Sequence, residues 1–351
     1  MQEVQKMGRN SSVELLRVLC LVFIFWMHGA ASFVDNGISA WISIAVTVIG
    51  NIGVSCFILI SGYYGIRLDI KKMMHLDLML VFYSWVGLIL LIFWGERPGG
   101  EALLSHIFPV IGKQSWYFTC YFALAFLSPF LNELVDKFEE LRLRQLLIVM
   151  LVIFSGVTTV FFFDINDDGG KGIVHMVMLY LIGRYLGVYQ AEKKVETRRL
   201  ICTFALIAGI NFCLNGALYI VTGSVRNSYA RDNTLFTVAE AVCIFLIFRN
   251  LYFENGFINR VAKCVPAVFM FEWTLRNLIL HYVADVTVYA GENYYELLVL
   301  VLAIILVALG CLIDMVRVAV FSGVENWIVQ TVYGAVEQIA GKRAKRGEKD
   351  G

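Results

Sequence analysis

The chain alternates long apolar runs with short polar joints. Runs of about 18 or more residues with few charges read as membrane-spanning helices, not as core helices of a soluble domain. Ten segments of this kind are predicted: Ser11–Val34, Ile38–Tyr64, His75–Gly95, Ser115–Leu134, Gln145–Phe163, Gly172–Gln190, Leu200–Val221, Thr234–Leu251, Pro266–Ala284 and Glu296–Val320. An even number of crossings leaves both termini on one side. The expected fold class is an all-α polytopic membrane protein of about ten transmembrane helices.

The joints carry most of the charge, and the charge sorts by side. Lys6, Arg9, Arg67, Lys71, Lys72, Lys137, Arg142, Arg144, Lys193, Lys194, Arg198, Arg199, Arg260, Lys263 and the tail cations Lys342, Arg343, Lys345, Arg346 and Lys349 fall on the side of the termini. Arg97, Lys113, Lys171, Arg226 and Arg231 fall on the other. The excess of Lys and Arg marks the cytoplasmic face, so both termini are expected in the cytoplasm of a cell whose inner or plasma membrane holds the chain. The acidic joint Asp164, Asn166, Asp167 and Asp168 suits the opposite face. The joint Glu96–Gln114 is expected to form a lid or re-entrant segment there.

From Phe321 the pattern changes. Val324, Trp327, Ile328, Thr331, Val332, Ala335, Val336 and Ile339 recur at helical spacing before the basic end. This reads as an amphipathic helix on the cytoplasmic surface. The chain is thus divided into a membrane domain, 1–320, and an amphipathic helix with a basic tail, 321–351.

Composition agrees. Hydrophobic residues make up 59% and charged residues 16%, against about 25% charged in soluble domains. The net charge of +1 gives no reason to expect a nucleic-acid partner. Eight cysteines are scattered, mostly inside apolar runs, with no CxxC or Cys/His spacing, so no metal is expected. The first apolar run is about 24 residues long and reads as a retained span, not as a cleaved signal.

Within that frame some polar residues are out of place. Arg17 and His28 lie inside the first span, where an Arg at mid-membrane costs roughly 2.5–3.5 kcal/mol on insertion scales. Eleven steps of about 100° make about 1100°, three turns plus roughly 20°, so the two share one stripe about 16 Å apart along the axis. A satisfied His and a snorkelling Arg would be one account; a polar path into the bilayer is the other. Glu14 is placed to pair with Arg17, and Glu272 with Arg276, at helical spacing. Arg184 and Glu240 are further ionisable groups at membrane depth. The run Arg67, Lys71, Lys72 and His75 is either ordinary positive-inside charge or a site for a polyanionic ligand. Trp116 and Tyr117 are either interfacial aromatics or a platform for a sugar ring.

Three stretches in order carry a resemblance: VELLRVLCLVFIFWMH, CFILISGYY with its following basic run, and SWYFTCYFALAFLSPFLNEL. Together with the ten spans they resemble acyltransferase family 3, integral membrane acyltransferases that modify bacterial surface polysaccharides. The resemblance implies an acyl group, acetyl in the first instance, passed from cytoplasmic acyl-CoA to a hydroxyl of an extracytoplasmic glycan. Carried over by position, it implies that His28 is the essential imidazole, either general base or transient acyl carrier. Arg17 is implied as its partner near the CoA end, and Glu14 is expected with them from its helical spacing to Arg17. Lys71, Lys72 and His75 fall where the family's basic pair meets CoA, with Lys and His here in place of two Arg. Glu272 keeps the acid of a late-helix His-Glu pair whose His this chain lacks. The expected site is therefore His28, Arg17 and Glu14 for catalysis and Arg17, Lys71, Lys72 and His75 for acetyl-CoA. Trp116, Tyr117, Glu272 and Arg276 are expected to hold the acceptor, a glycan or lipid-linked saccharide. A different class also fits: a secondary transporter or flippase for a lipid-linked or small anionic substrate, with the buried charges as its relay.

Overall fold

The computed structural model describes residues 10–30 and 37–347. All the long elements among these residues are helices. They are α1 (Ser11–Ala30), α2 (Gly37–Gly50), α3 (Ile52–Tyr64), α4 (Ile70–Phe93), α5 (Gly100–Ile107), α6 (Trp116–Lys137), α7 (Glu140–Leu151), α8 (Val157–Phe161), α9 (Ile173–Val188), α10 (Thr197–Thr222), α11 (Leu235–Asn250), α12 (Gly256–Tyr282) and α13 (Tyr295–Gly347).

The described residues of the predicted segments are mainly helical, with Ile38–Tyr64 divided into α2 and α3, but the helices are not alike. Seven helical stretches among the described residues are long and apolar enough to cross a membrane: Ser11–Gly29, Gly37–Tyr64, Ile70–Phe93, Trp116–Lys137, Glu140–Phe161, Thr197–Thr222 and Tyr295–Gln338. The protein is a multi-pass membrane protein. Helices α9 and α11 are shorter, at 16 residues each. Helix α12 has the length, at 27 residues, and carries Arg260, Lys263, Glu272 and Arg276 along it. These three pack inside the bundle: α9 against α3, α11 against α10 and α3, and α12 against α13, α1 and α4.

Small residues set the closest approaches. A Cβ on Gly62 would lie 2.3 Å from the Tyr180 carbonyl, and one on Gly183 2.5 Å from the Leu59 carbonyl. Helices α3 and α9 therefore touch backbone to backbone, as small-residue stripes allow in membranes. Gly50 and Gly53 do the same for α1, facing Phe23 and Ile24. Near the C-terminal end of α1, Gly29 faces Val299 of α13 with no room for a side chain.

Two interior prolines break the backbone ladder in different ways. Pro129 in α6 has no N–H for the Ala125 carbonyl. The Ser128 hydroxyl donates to that carbonyl instead, at 2.7 Å. Pro266 leaves the Ala262 carbonyl without its intrahelical donor in the same way, and both residues line an internal cavity.

Helix α13 passes position 320 without interruption and runs on to Gly347. Arg317, 7% exposed, donates to Asp314 at 2.7 Å and pairs with Glu325. Tyr83 of α4 donates to the same Asp314 at 2.9 Å, which ties the two helices together. Lys6, Arg9 and Lys349 of the predicted charge pattern lie outside the described residues.

Candidate functional site

The stripe predicted on α1 is formed, and a cavity opens at each end of it. On the side away from the termini, His28 faces a cavity of about 810 Å³. Its walls come from elements far apart in sequence. Thr47 and Asn51 flank the break between α2 and α3. Lys113 and Trp116 precede and open α6. Lys171 and Asp232 sit in joints. Phe269, Glu272, Trp273 and Arg276 belong to α12.

Within this cavity His28 Nδ1 lies 3.4 Å from Glu272 Oε2. The carboxylate also forms the ion pair with Arg276 that their spacing predicts. Glu272 is 7% exposed and the imidazole 41%. The acid is thus fixed in the protein, while the ring reaches the open space. A buried carboxylate in this position can orient the imidazole through one ring nitrogen.

The joint between α10 and α11 is clamped over the same cavity. Asn51 Nδ2 donates to the Ala230 carbonyl at 2.6 Å, and Asn227 Nδ2 to Thr47 Oγ1 at 3.2 Å. A buried relay supports the joint from behind. Asn211 donates to Glu240 at 3.0 Å, Asn215 to Asn211 at 2.8 Å, and the Tyr229 N–H to Asn215 at 3.0 Å. Glu240 is therefore engaged in holding this joint through Asn211 of α10. Asp232 in the joint is 4% exposed, and burial pushes its carboxyl up to about 7 against the attraction of Lys171.

Arg17, at the other end of the stripe, lines two cavities. One, of about 650 Å³, lies on the side of the termini and includes Asn10, Glu14, Tyr64, Lys194 and Arg249. The other is a narrow space of about 140 Å³ inside the bundle, bounded by Phe57, Ser61, Tyr117, Tyr121 and Phe269. Phe269 is shared with the His28 cavity. The three spaces thus follow one another from Glu14 past Arg17 and Phe269 to His28. The Arg17 Nε is buried with no hydrogen-bond partner among the described residues. Glu14 shares the termini-side cavity with it.

The other predicted residues are placed as follows. Trp116 lines the His28 cavity, whereas Tyr117 turns into the narrow space beside Arg17. Lys71 places its ammonium 4.4 Å from the Tyr333 ring of α13. Lys72 pairs with Asp69, the cap of α4, at 3.5 Å. The half-buried His75 and these two lysines do not line the three cavities, although Leu76, next in the chain, lines the narrow one. Reasoning from sequence missed Asn51, Asp232, Lys194, Arg249 and Phe269. The first two follow a helix break and a joint. Lys194 sits in an unremarkable positive-inside pattern, and Arg249 falls near the end of the predicted span Thr234–Leu251.

Residues 10–315 match a family model described as an acyltransferase domain. No curated protein and no solved structure matches the chain.

Proposed function

The chain belongs to acyltransferase family 3 and is a membrane acyltransferase, and we propose that it moves an acetyl group from cytoplasmic acetyl-CoA to a hydroxyl of an extracytoplasmic glycan. The observation that carries this reading is the succession of three cavities meeting at Arg17 and Phe269, with His28 at the far end. A donor and an acceptor could reach one imidazole from opposite faces of the membrane.

In this reading the termini-side cavity faces the cytoplasm, as the Lys and Arg imbalance predicts. Arg17, Lys194 and Arg249 would meet the phosphates of CoA, with Lys71, Lys72 and His75 as further cations on that face. Arg binds phosphate through its planar fork and Lys as a point charge. The pantetheine arm would thread the narrow space, whose aromatic and aliphatic walls suit an uncharged chain.

At the far end, Glu272 accepts from His28 Nδ1–H and fixes the tautomer, so that Nε2 is the basic nitrogen. The acceptor hydroxyl gives its proton to Nε2 as its oxygen attacks the thioester carbonyl. The tetrahedral intermediate collapses, the C–S bond breaks, and the thiolate takes the proton from the imidazolium. The products are the O-acetyl sugar and CoA. Arg276 neutralises Glu272, and Trp116 and Trp273 offer faces for the sugar. The setting would be the inner or plasma membrane of a bacterium.

The test uses purified protein in nanodiscs with radiolabelled acetyl-CoA and the surface polysaccharide of the source organism. The wild type should release CoA and label the glycan, and His28→Ala should do neither. Equal transfer by the His28→Ala variant overturns the reading. Substrate flux with no CoA release would turn it towards the transporter.

A further inference from the structure

A second cavity of about 510 Å³ adjoins the one holding His28, and Trp273 belongs to both. Its floor is α12 beyond the catalytic turn. Trp273, Asn277 and His281 follow each other at four-residue intervals and so lie along one face of the helix. Glu272 and Arg276, one residue earlier in each turn, point to the His28 cavity instead. The facing wall is the C-terminal end of α4, with Trp94 and Glu96, and the short helical turn Val286–Tyr289 with its cap Asp285. Asp285 accepts from Thr287 N at 3.0 Å, which fixes that turn.

The lining chemistry is specific. Trp273 is 59% exposed and lines this cavity as well as the one holding His28. Trp94 packs against His281 and Tyr282 at centroid distances of 6.3 and 6.2 Å, which holds its ring in place. Between these aromatics stand planar polar groups, Asn277, Glu96 and Asp285. Fixed aromatic faces stack on the C–H faces of pyranose rings, and amides and carboxylates bridge neighbouring hydroxyls. A lipid tail or an apolar ligand would have no use for the second set.

We propose that this second cavity is a saccharide subsite for the units adjoining the acylated one, so that the acceptor is an oligosaccharide or polymer lying across Trp273. The proposal rests on the glycan acylation reading above. It adds that the enzyme measures more than one sugar. A lone sugar in the His28 cavity leaves the second cavity unused. A chain of several units fills both and is held in register against His28, as binding energy remote from the reacting atoms commonly is.

The surface polysaccharide of the source organism, stripped of its acyl groups and cleaved into length fractions from one to six units, supplies the probes. Transfer from labelled acetyl-CoA is measured for each fraction with the wild type, Trp94→Ala and Asn277→Ala. In the wild type, kcat/KM should rise with length and level off once both cavities are filled. In each variant the preference for long over short fractions should fall roughly three- to tenfold, the scale of one lost stack or hydrogen bond, and should appear in KM. Equal use of one-unit and six-unit fractions by the wild type overturns the subsite. A length preference unchanged in both variants also overturns it, and is what a lipid-filled cavity would give. If the wild type labels no fraction, the glycan reading itself fails and the subsite fails with it.

Discussion

His28 and Glu272 stand 244 positions apart and meet at 3.4 Å, ring nitrogen to carboxylate. The contact crosses from α1 to α12 and brings a buried acid to an imidazole that lines a large cavity. Arg276 pairs with the same carboxylate and so helps to hold it against the ring. Replacing His28 with Ala should cost about 10²–10⁴-fold in kcat, the usual share of a general base. Glu272→Gln keeps the shape and removes the charge, so it should lose roughly 10²-fold with normal folding. A Glu272→Gln protein of wild-type activity would show that the contact orients nothing.

The donor side allows a comparison between cations. Lys194 and Arg17 line the termini-side cavity, while Lys72 is held by Asp69 outside it. If CoA phosphates sit in that cavity, Lys194→Ala and Arg17→Ala each raise KM for acetyl-CoA by roughly tenfold, as a charged hydrogen bond would. Lys72→Ala should change it by less than about twofold, as exposed pairs do. The reverse order would move the donor site to the basic run at the start of α4.

Much of this was legible beforehand, for identifiable reasons. Arg17 and His28 sit on one helix, so periodicity alone places them on one stripe. Glu272 and Arg276 are likewise local neighbours. The His28–Glu272 contact, the clamp of Asn51 on Ala230 and the sharing of Phe269 between cavities are products of packing between distant segments, which no local pattern encodes. Lys71 and Lys72 form a basic run by composition alone, whereas their neighbours, Tyr333 of α13 and Asp69, emerge only in the fold. The uninterrupted α13 is hidden for another reason: the pattern changes at Phe321, while in the fold Arg317 pairs with Asp314 before that point and with Glu325 beyond it.

Asp232 predicts a pH effect on stability. Its folded carboxyl titrates near 7, above the ordinary carboxylate value of 3.8, because it is buried. The folded state therefore holds the proton more tightly than the unfolded chain. Its contribution favours folding fully at low pH and is lost as pH rises from about 4 through 7. A move of that size corresponds to about 4 kcal/mol between the protonation states. Asp232→Asn should raise the melting temperature at pH 8 by several degrees and leave it nearly unchanged at pH 4. A variant that melts earlier than wild type at pH 8 would mean that the ionised carboxylate is a needed partner of Lys171.

Gly62 tests the packing that seats the bundle. A methyl group there would stand 2.3 Å from the Tyr180 carbonyl, so α3 and α9 must part. Gly62→Ala should cost about 1–3 kcal/mol, seen as an earlier thermal transition in detergent. Gly209→Ala, on α10 with nothing within 4 Å, is the matched control and should be neutral or mildly stabilising. Equal melting of the two variants would show that the α3–α9 contact is looser than described.

The narrow space beside Arg17 gives the sharpest separation of binding from transfer. It holds about 140 Å³ between the cavity of Glu14 and that of His28, and Ser61 lines it. An indole placed there would occupy most of that space, because a Trp side chain is among the largest. Ser61→Trp should still bind CoA from the termini side, since Lys194 and Arg249 are untouched. It should lose acyl transfer to the level of His28→Ala, since the thioester can no longer pass Phe269. Binding is read by isothermal titration with CoA and transfer by label on the glycan. A Ser61→Trp protein that still transfers at the wild-type rate would show that the donor reaches His28 by another route, and the succession of cavities would then have no part in the reaction.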